Sequence, residues 1–209
     1  MEYTKTQTIL DDRVHIFKTT TDVSQYIRDI IELEETITAE YLSQYMYRFD
    51  EDVTEILSHK LRFQYDIFAS LPILDTIRDQ YVQAFISTPH ERGKYALHGW
   101  ANVGYVGDSI GWHNHITSYY GFSYIYTSGS TTEIRMKDET PSHTIDGEDG
   151  VFVIAPGRIT PHRTSVWDND SHPRITLAFN IIKLDGNAVH DRQYISLLKP
   201  GLGLYKFDA

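Results

Sequence analysis

The sequence contains no cysteine, which excludes disulfides, thiolate metal sites and a cysteine nucleophile. Basic residues are few: 19 Lys and Arg against 29 Asp and Glu give a formal net charge of -10 at pH 7. Phosphate contacts need a basic face, so nucleic acid is not expected as a partner. No apolar run approaches the length of a membrane span, and the opening "MEYTKTQTILDDRVHIF" lacks the apolar stretch of a secretory leader. These absences lead to the expectation of a globular, cytoplasmic protein with no membrane partner. Neither a P-loop nor a dinucleotide fingerprint occurs, which disfavours nucleotide folds.

What is present is enough apolar material for one real core. The 209 residues are 41% hydrophobic and 13% aromatic, which suits a single domain with a supporting segment. The pattern changes near residue 95. Residues 1–94 read as mainly helical and are expected to pack on a barrel formed by residues 95–209. Asp22 and Gln25 form a capping-box signature ahead of Tyr26, Ile27, Ile30 and Ile31. Asp52 and Glu55 repeat it before Val53, Ile56, Leu57 and Leu61, and Ser70 before Pro72 predicts a third helix start.

Residues 95–209 read as strands. "YALHGWANVGYV", "YGFSYIYT", "TEIRMKD", "GVFVIAP" and "RITLAFNII" are short and rich in β-branched or aromatic residues. Turn clusters such as "TSGST" and "DGEDG" separate them. Many short strands at close spacing predict an antiparallel jelly roll. The expected fold class is α+β: a cupin-like double-stranded β-helix with a helical N-terminal support.

The candidate chemistry starts at "WHNH". In an extended segment residues i and i+2 share a face, so His113 and His115 point into one space. Two adjacent imidazoles pack poorly unless something satisfies their nitrogens, and a metal ion satisfies both. A third ligand is expected from elsewhere in the barrel, and His162 in "FVIAPGRITPHR" is the candidate. In "RITLAFNI", alternation puts Arg174, Thr176, Ala178 and Asn180 on one face. A guanidinium there needs an anionic partner, and Thr176 stands where it can share that anion.

An H-x-[DE] motif, a distal histidine and an R-x-[ST] about a dozen residues later is the pattern of the iron(II)- and 2-oxoglutarate-dependent oxygenases. Residues 100–181 resemble that superfamily, and specifically the 2OG-Fe(II) oxygenase family with H-x-H in place of H-x-D. The matching text is "NVGYVGDSIGWHNH", "YGFSYIY", "FVIAPGRITPHR" and "PRITLAFNI". The resemblance implies that His113, His115 and His162 hold Fe(II), and that Arg174 and Thr176 bind the distal carboxylate of 2-oxoglutarate. Asn102 and Tyr124, on flanking strands, are further candidates for binding the co-substrate. The implied reaction consumes dioxygen, decarboxylates 2-oxoglutarate to succinate and hydroxylates a small-molecule or peptide-like substrate. Jelly-roll enzymes of this size often pair as homodimers.

His115 stands where the family pattern has a carboxylate, leaving the metal at its full positive charge. Asp108 is a candidate to supply the missing carboxylate, and His98 and Trp100 are expected to share the Asn102 face. Two other readings stay open. One is a cupin-type three-histidine dioxygenase that needs no 2-oxoglutarate. The other is a non-catalytic jelly roll that binds a ligand. Trp112, Tyr119, Tyr120 and Trp167 read either as an aromatic rim or as packing between the helical segment and the barrel.

Overall fold

The alternation in "RITLAFNII" sets the layers of the molecule. This segment is part of the strand Arg174–Lys183, which is buried along nearly all its length because both of its faces are covered. Ile175, Leu177, Phe179 and Ile181 point to a core shared with helices, and the Arg174–Asn180 face looks toward a second sheet. The computed structural model describes residues 3–45, 61–127, 129–137, 141–186 and 188–209.

Among the described residues ten strands form two sheets. They are β1 (Tyr3–Ile9), β2 (Val14–Thr19), β3 (Lys94–Gly104), β4 (Tyr119–Tyr126) and β5 (Thr131–Ile134). The others are β6 (His143–Asp146), β7 (Val151–Pro156), β8 (His162–Thr164), β9 (Arg174–Lys183) and β10 (Tyr205–Asp208). The large sheet runs β1-β2-β7-β4-β9-β3-β10 and the small one β6-β5-β8, with every pairing antiparallel. An isolated bridge between His113 and His162 adds a fourth member to the small sheet. Strands β7-β4-β9-β3 and the four-membered small sheet enclose a core of Tyr120, Phe122, Tyr124, Val153, Ile134 and Ile145. This four-plus-four arrangement is the double-stranded β-helix, and the fold class is α+β.

Helices α1 (Ile27–Tyr45), α2 (Ile67–Ser70) and α3 (Asp75–Ile86) cover the other face of the large sheet, and α4 (Val189–Leu197) packs near its end. Tyr81 of α3 stacks on Phe179 of β9 with ring centroids 4.6 Å apart. Phe85 meets Tyr119 edge-to-face at 5.0 Å, so Tyr119 joins helix to barrel. No helix among the described residues is long and apolar enough to cross a membrane.

The N-terminal segment departs from its helical reading in two places. Residues 3–19 form β1 and β2, and β2 pairs with β7, so the large sheet draws strands from before residue 95. Both faces of "VHIF" are buried, Val14 and Ile16 against the small-sheet core and Phe17 against the helices. That removes the polar alternation which would have marked a strand. Ser70 caps nothing; it ends α2, and the turn at Pro72–Leu74 leads into α3 without a side-chain cap. Asp22 does cap, accepting from Ser24 N at 3.0 Å, while Gln25 donates to the Asp22 carbonyl at 2.6 Å. The Asp52–Glu55 signature lies outside the described residues.

Candidate metal centre

His113 and His115 do not lie in a regular strand. They sit in an extended segment held at two points. His113 exchanges backbone hydrogen bonds with His162 (3.0 and 2.9 Å), and His115 N donates to the Gly157 carbonyl at 3.1 Å. Those bonds decide which histidines meet. The donor atoms of His113, His115 and His162 lie within 4.8 Å of one another, the one such three-residue group among the described residues. His115 and His162 are buried and His113 is half-buried.

Each ring is held by neighbours. His113 Nδ1 lies 2.9 Å from the Gly111 carbonyl, which can only accept, so Nδ1 carries the proton and Nε2 the lone pair. His115 Nδ1 donates to Asn180 Oδ1 at 2.6 Å, and Thr117 Oγ1 donates to the same oxygen at 3.0 Å. Tyr120 lies nearly parallel to both buried imidazoles, 4.3 Å from His115 and 4.7 Å from His162, and its hydroxyl donates to the Thr160 carbonyl.

A polar chain continues from Asn180. Its amide faces the Tyr194 hydroxyl, which donates to His98 Nδ1 at 2.8 Å, and His98 Nε2 donates to the Tyr65 carbonyl at 2.9 Å. His98 is therefore a neutral link in the chain that orients His115, and it does not border the cavity. Its pKa is lowered to about 4, first by burial.

Burial, followed by the neighbouring His113, pushes His115 down to about 3. The same causes, with His115 added, hold His162 well below the usual imidazole range. Burial thus keeps these rings neutral at ordinary pH, the form in which imidazole binds a metal. His162 Nδ1 is buried without a hydrogen-bond partner among the described residues, so the ring keeps bonding capacity that these residues do not fill. An all-imidazole donor set suits iron, copper, nickel or zinc, and the residues fit a transition metal.

A cavity of about 140 Å³ opens beside the three histidines, lined also by Trp100, Asn102, Thr176 and Arg62. A larger cleft of about 330 Å³, lined by Asp12, Arg13, His15, Glu91 and Lys183 among others, touches none of them. The smaller cavity is the one that the three histidines border.

The other candidates divide. Asn102 faces Thr176 across the β3–β9 ladder, its Nδ2 donating to Thr176 Oγ1 at 3.4 Å, and both border the cavity. Tyr124 sits behind the wall, its hydroxyl donating to Thr132 Oγ1 at 2.7 Å. Arg174 is buried, but its NH1 donates to the Ser165 carbonyl at 2.8 Å and its guanidinium packs by Gly104 beside Asp108. It is not on the cavity wall. Asp108 is not in the histidine cluster; its carboxylate accepts from Tyr105 N at 2.7 Å and favours the charge of Arg174. Trp167 is buried as packing, donating to the His172 carbonyl, and Trp112 lies under the guanidinium groups of Arg135 and Arg163.

Three participants are not legible as such in the sequence. Alternation places Asn180 on the correct face, but not as the partner of His115. Tyr120 reads only as rim or packing. Arg62 gives no signal, since nothing local ties it to a barrel.

No protein-family model matches the chain, and no curated protein matches it. Among solved structures it is similar to a prolyl-4-hydroxylase from Pseudomonas putida, at 12% identity over 51% of this chain and 61% of that one, TM-score 0.36. It is also similar to a salicylate 1,2-dioxygenase from Pseudaminobacter salicylatoxidans (10% identity, 63% and 35% coverage, TM-score 0.31). A third is a cupin-2 domain containing protein from Shewanella frigidimarina, at 13% identity, 47% and 89% coverage and TM-score 0.24. The chain thus spans less than two thirds of the hydroxylase and about one third of the dioxygenase.

Proposed function

We propose that this protein is a non-haem Fe(II)- and 2-oxoglutarate-dependent dioxygenase that hydroxylates a small-molecule or peptide-like substrate. The observation that carries the reading is the convergence of His113, His115 and His162 at the edge of a jelly-roll cavity. Fe(II) held there would, with 2-oxoglutarate and dioxygen, supply an oxidant for a substrate C–H bond while 2-oxoglutarate becomes succinate and carbon dioxide.

The chain's own residues set the conditions. Asn180 and the Gly111 carbonyl fix the Nδ1–H tautomers of His115 and His113, which turns each Nε2 lone pair outward to the ion. Tyr120 and Phe122 flank the rings and exclude water from that side. Three neutral ligands leave the +2 charge uncompensated, and a dianionic co-substrate balances it. Thr176 and Asn102 offer hydrogen bonds on the cavity wall. Arg174, two residues before Thr176, uses one of its five donors on Ser165 and leaves others for an anion.

A second reading has one observation in its favour. Because Arg174 is turned to Ser165 rather than to the cavity, a three-histidine dioxygenase without 2-oxoglutarate fits equally well. Anaerobic titration of the Fe(II) protein with 2-oxoglutarate separates the two. A visible metal-to-ligand charge-transfer band, weakened by Arg174→Ala and lost in His162→Ala, is the expected result. Iron bound without a band would transfer the assignment to the second reading.

A further inference from the structure

Arg62 reaches the histidine cavity from the chain that precedes α2. Its guanidinium carbon lies 4.7 Å from the Phe63 ring centroid and 5.8 Å from that of Trp100. Trp100 in turn lies 6.0 Å from His115 in a near-parallel arrangement. A group held on Arg62 is therefore one indole away from the candidate metal ligands.

This arginine is half-buried and, among the described residues, has no anionic partner. Its Nε is buried with no hydrogen-bond acceptor among the described residues. Among the described residues it makes no salt bridge, and the group that favours its charge is a phenol, Tyr194, rather than a carboxylate. No Asp or Glu among the described residues lines the cavity. Guanidinium groups out of water are held by planar, bidentate acceptors, and leaving one unpaired is costly. Arg174, by contrast, already has the Ser165 carbonyl and Asp108.

We propose that Arg62 is the recognition residue for a carboxylate on the primary substrate, so that the enzyme acts on an organic acid. This rests on the cavity being the active site of the dioxygenase proposed for this chain. The 2-oxoglutarate dianion balances the metal charge, which leaves Arg62 as the cation that a further anion must meet. Trp100 offers a flat apolar surface between that carboxylate and the histidines, against which the carbon skeleton of the acid lies.

The test uses calorimetric titration of the anaerobic Fe(II) protein with formate, benzoate and benzamide, the last being the uncharged isostere of benzoate. In wild type the carboxylates are expected to bind, and benzoate about tenfold or more tighter than benzamide. Arg62→Gln is expected to abolish that preference, Arg62→Lys to restore part of it, and Arg174→Ala to leave it intact. Circular dichroism and melting temperature confirm that the variants fold. Binding of neither carboxylate, or equal preference in wild type and Arg62→Gln, overturns the inference.

The 2-oxoglutarate band is read in the same samples. If Arg62→Gln removes the band, Arg62 holds the co-substrate, and its assignment to the substrate is wrong. If wild type shows no band but discriminates benzoate from benzamide through Arg62, the 2-oxoglutarate reading fails and this one stands.

Discussion

Asn180 Oδ1 lies 2.6 Å from His115 Nδ1, and this contact fixes which nitrogen of His115 is available to a metal. Asn180 also faces the Tyr194 hydroxyl, which leads through His98 to the Tyr65 carbonyl, the Tyr194 hydroxyl and the His98 Nε2–H each having one acceptor. The orientation of a candidate ligand is thereby set by residues on β9, α4, β3 and the segment before α2. Such partners of ligating histidines hold the tautomer and raise the basicity of the ring.

Asn180→Leu is expected to weaken Fe(II) binding about 10- to 100-fold, the usual effect of losing a partner of this kind. Tyr194→Phe, which breaks the chain one step further on, should weaken it less. Competition against a metallochromic chelator gives both values. Unchanged affinity in Asn180→Leu would show that the histidine cluster does not hold the metal in this orientation.

Metal binding should appear as folding stability, because the unfolded chain cannot assemble the three histidines. At a free Fe(II) concentration about 100 times the dissociation constant, the expected gain is about 2.7 kcal/mol. His162→Ala should remove the gain and leave the apoprotein folded. Anaerobic melting with and without Fe(II) checks this, and an equal gain in the variant would place the ion elsewhere.

Gly157 holds the histidine segment through backbone alone, its carbonyl accepting from His115 N and its N–H donating to the Ser118 carbonyl. A Cβ at this position would stand 2.2 Å from the Thr117 carbonyl oxygen. Since those are backbone atoms, the segment must move. Gly157→Ala is expected to destabilise the protein by about 1–3 kcal/mol and to loosen metal binding with it. Urea denaturation and metal titration on the same variant give the two numbers, and a neutral result in both would contradict the packing described.

Asp66 makes stability fall with rising pH. Its Oδ1 accepts from Phe68 N and Gly99 N, its Oδ2 is buried without a partner among the described residues, and burial raises its pKa to about 7. A folded pKa above the unfolded value gives stability that is complete at acid pH and lost as pH rises. Between pH ~4 and ~7 the native state keeps a proton that the unfolded chain has released. Unfolding free energy then drops about 1.4 kcal/mol per pH unit, to a limit of about 4 kcal/mol. Asp66→Asn keeps both acceptor bonds and should lose this slope. Denaturation of metal-free protein at several pH values would show parallel curves for wild type and variant if the account is wrong.

Local pattern is sufficient for much of the barrel. Five strand segments of the sequence recur as β3, β4, β5, β7 and β9, because each is a short run rich in β-branched or aromatic residues and bounded by turns. The shared face of His113 and His115, and the polar face of β9, follow from the strand period of two. The shortest strands, β6 and β8, are too brief to show a period, and in β2 burial on both faces erases it.

The sequence by itself determined the fold class, the pairing of His113 with His115 and the face carrying Thr176 and Asn180, since these depend only on backbone periodicity. Tertiary structure decided everything that depends on distant segments meeting. The His113–His162 bridge brings in the third histidine, β9 presents Asn180 to His115, and the chain before α2 delivers Arg62 beside Trp100. It also turned Arg174 toward Ser165 and away from the cavity wall. A local pattern says which way a side chain faces along its own strand. Only the packing of sheet on sheet says what it faces there.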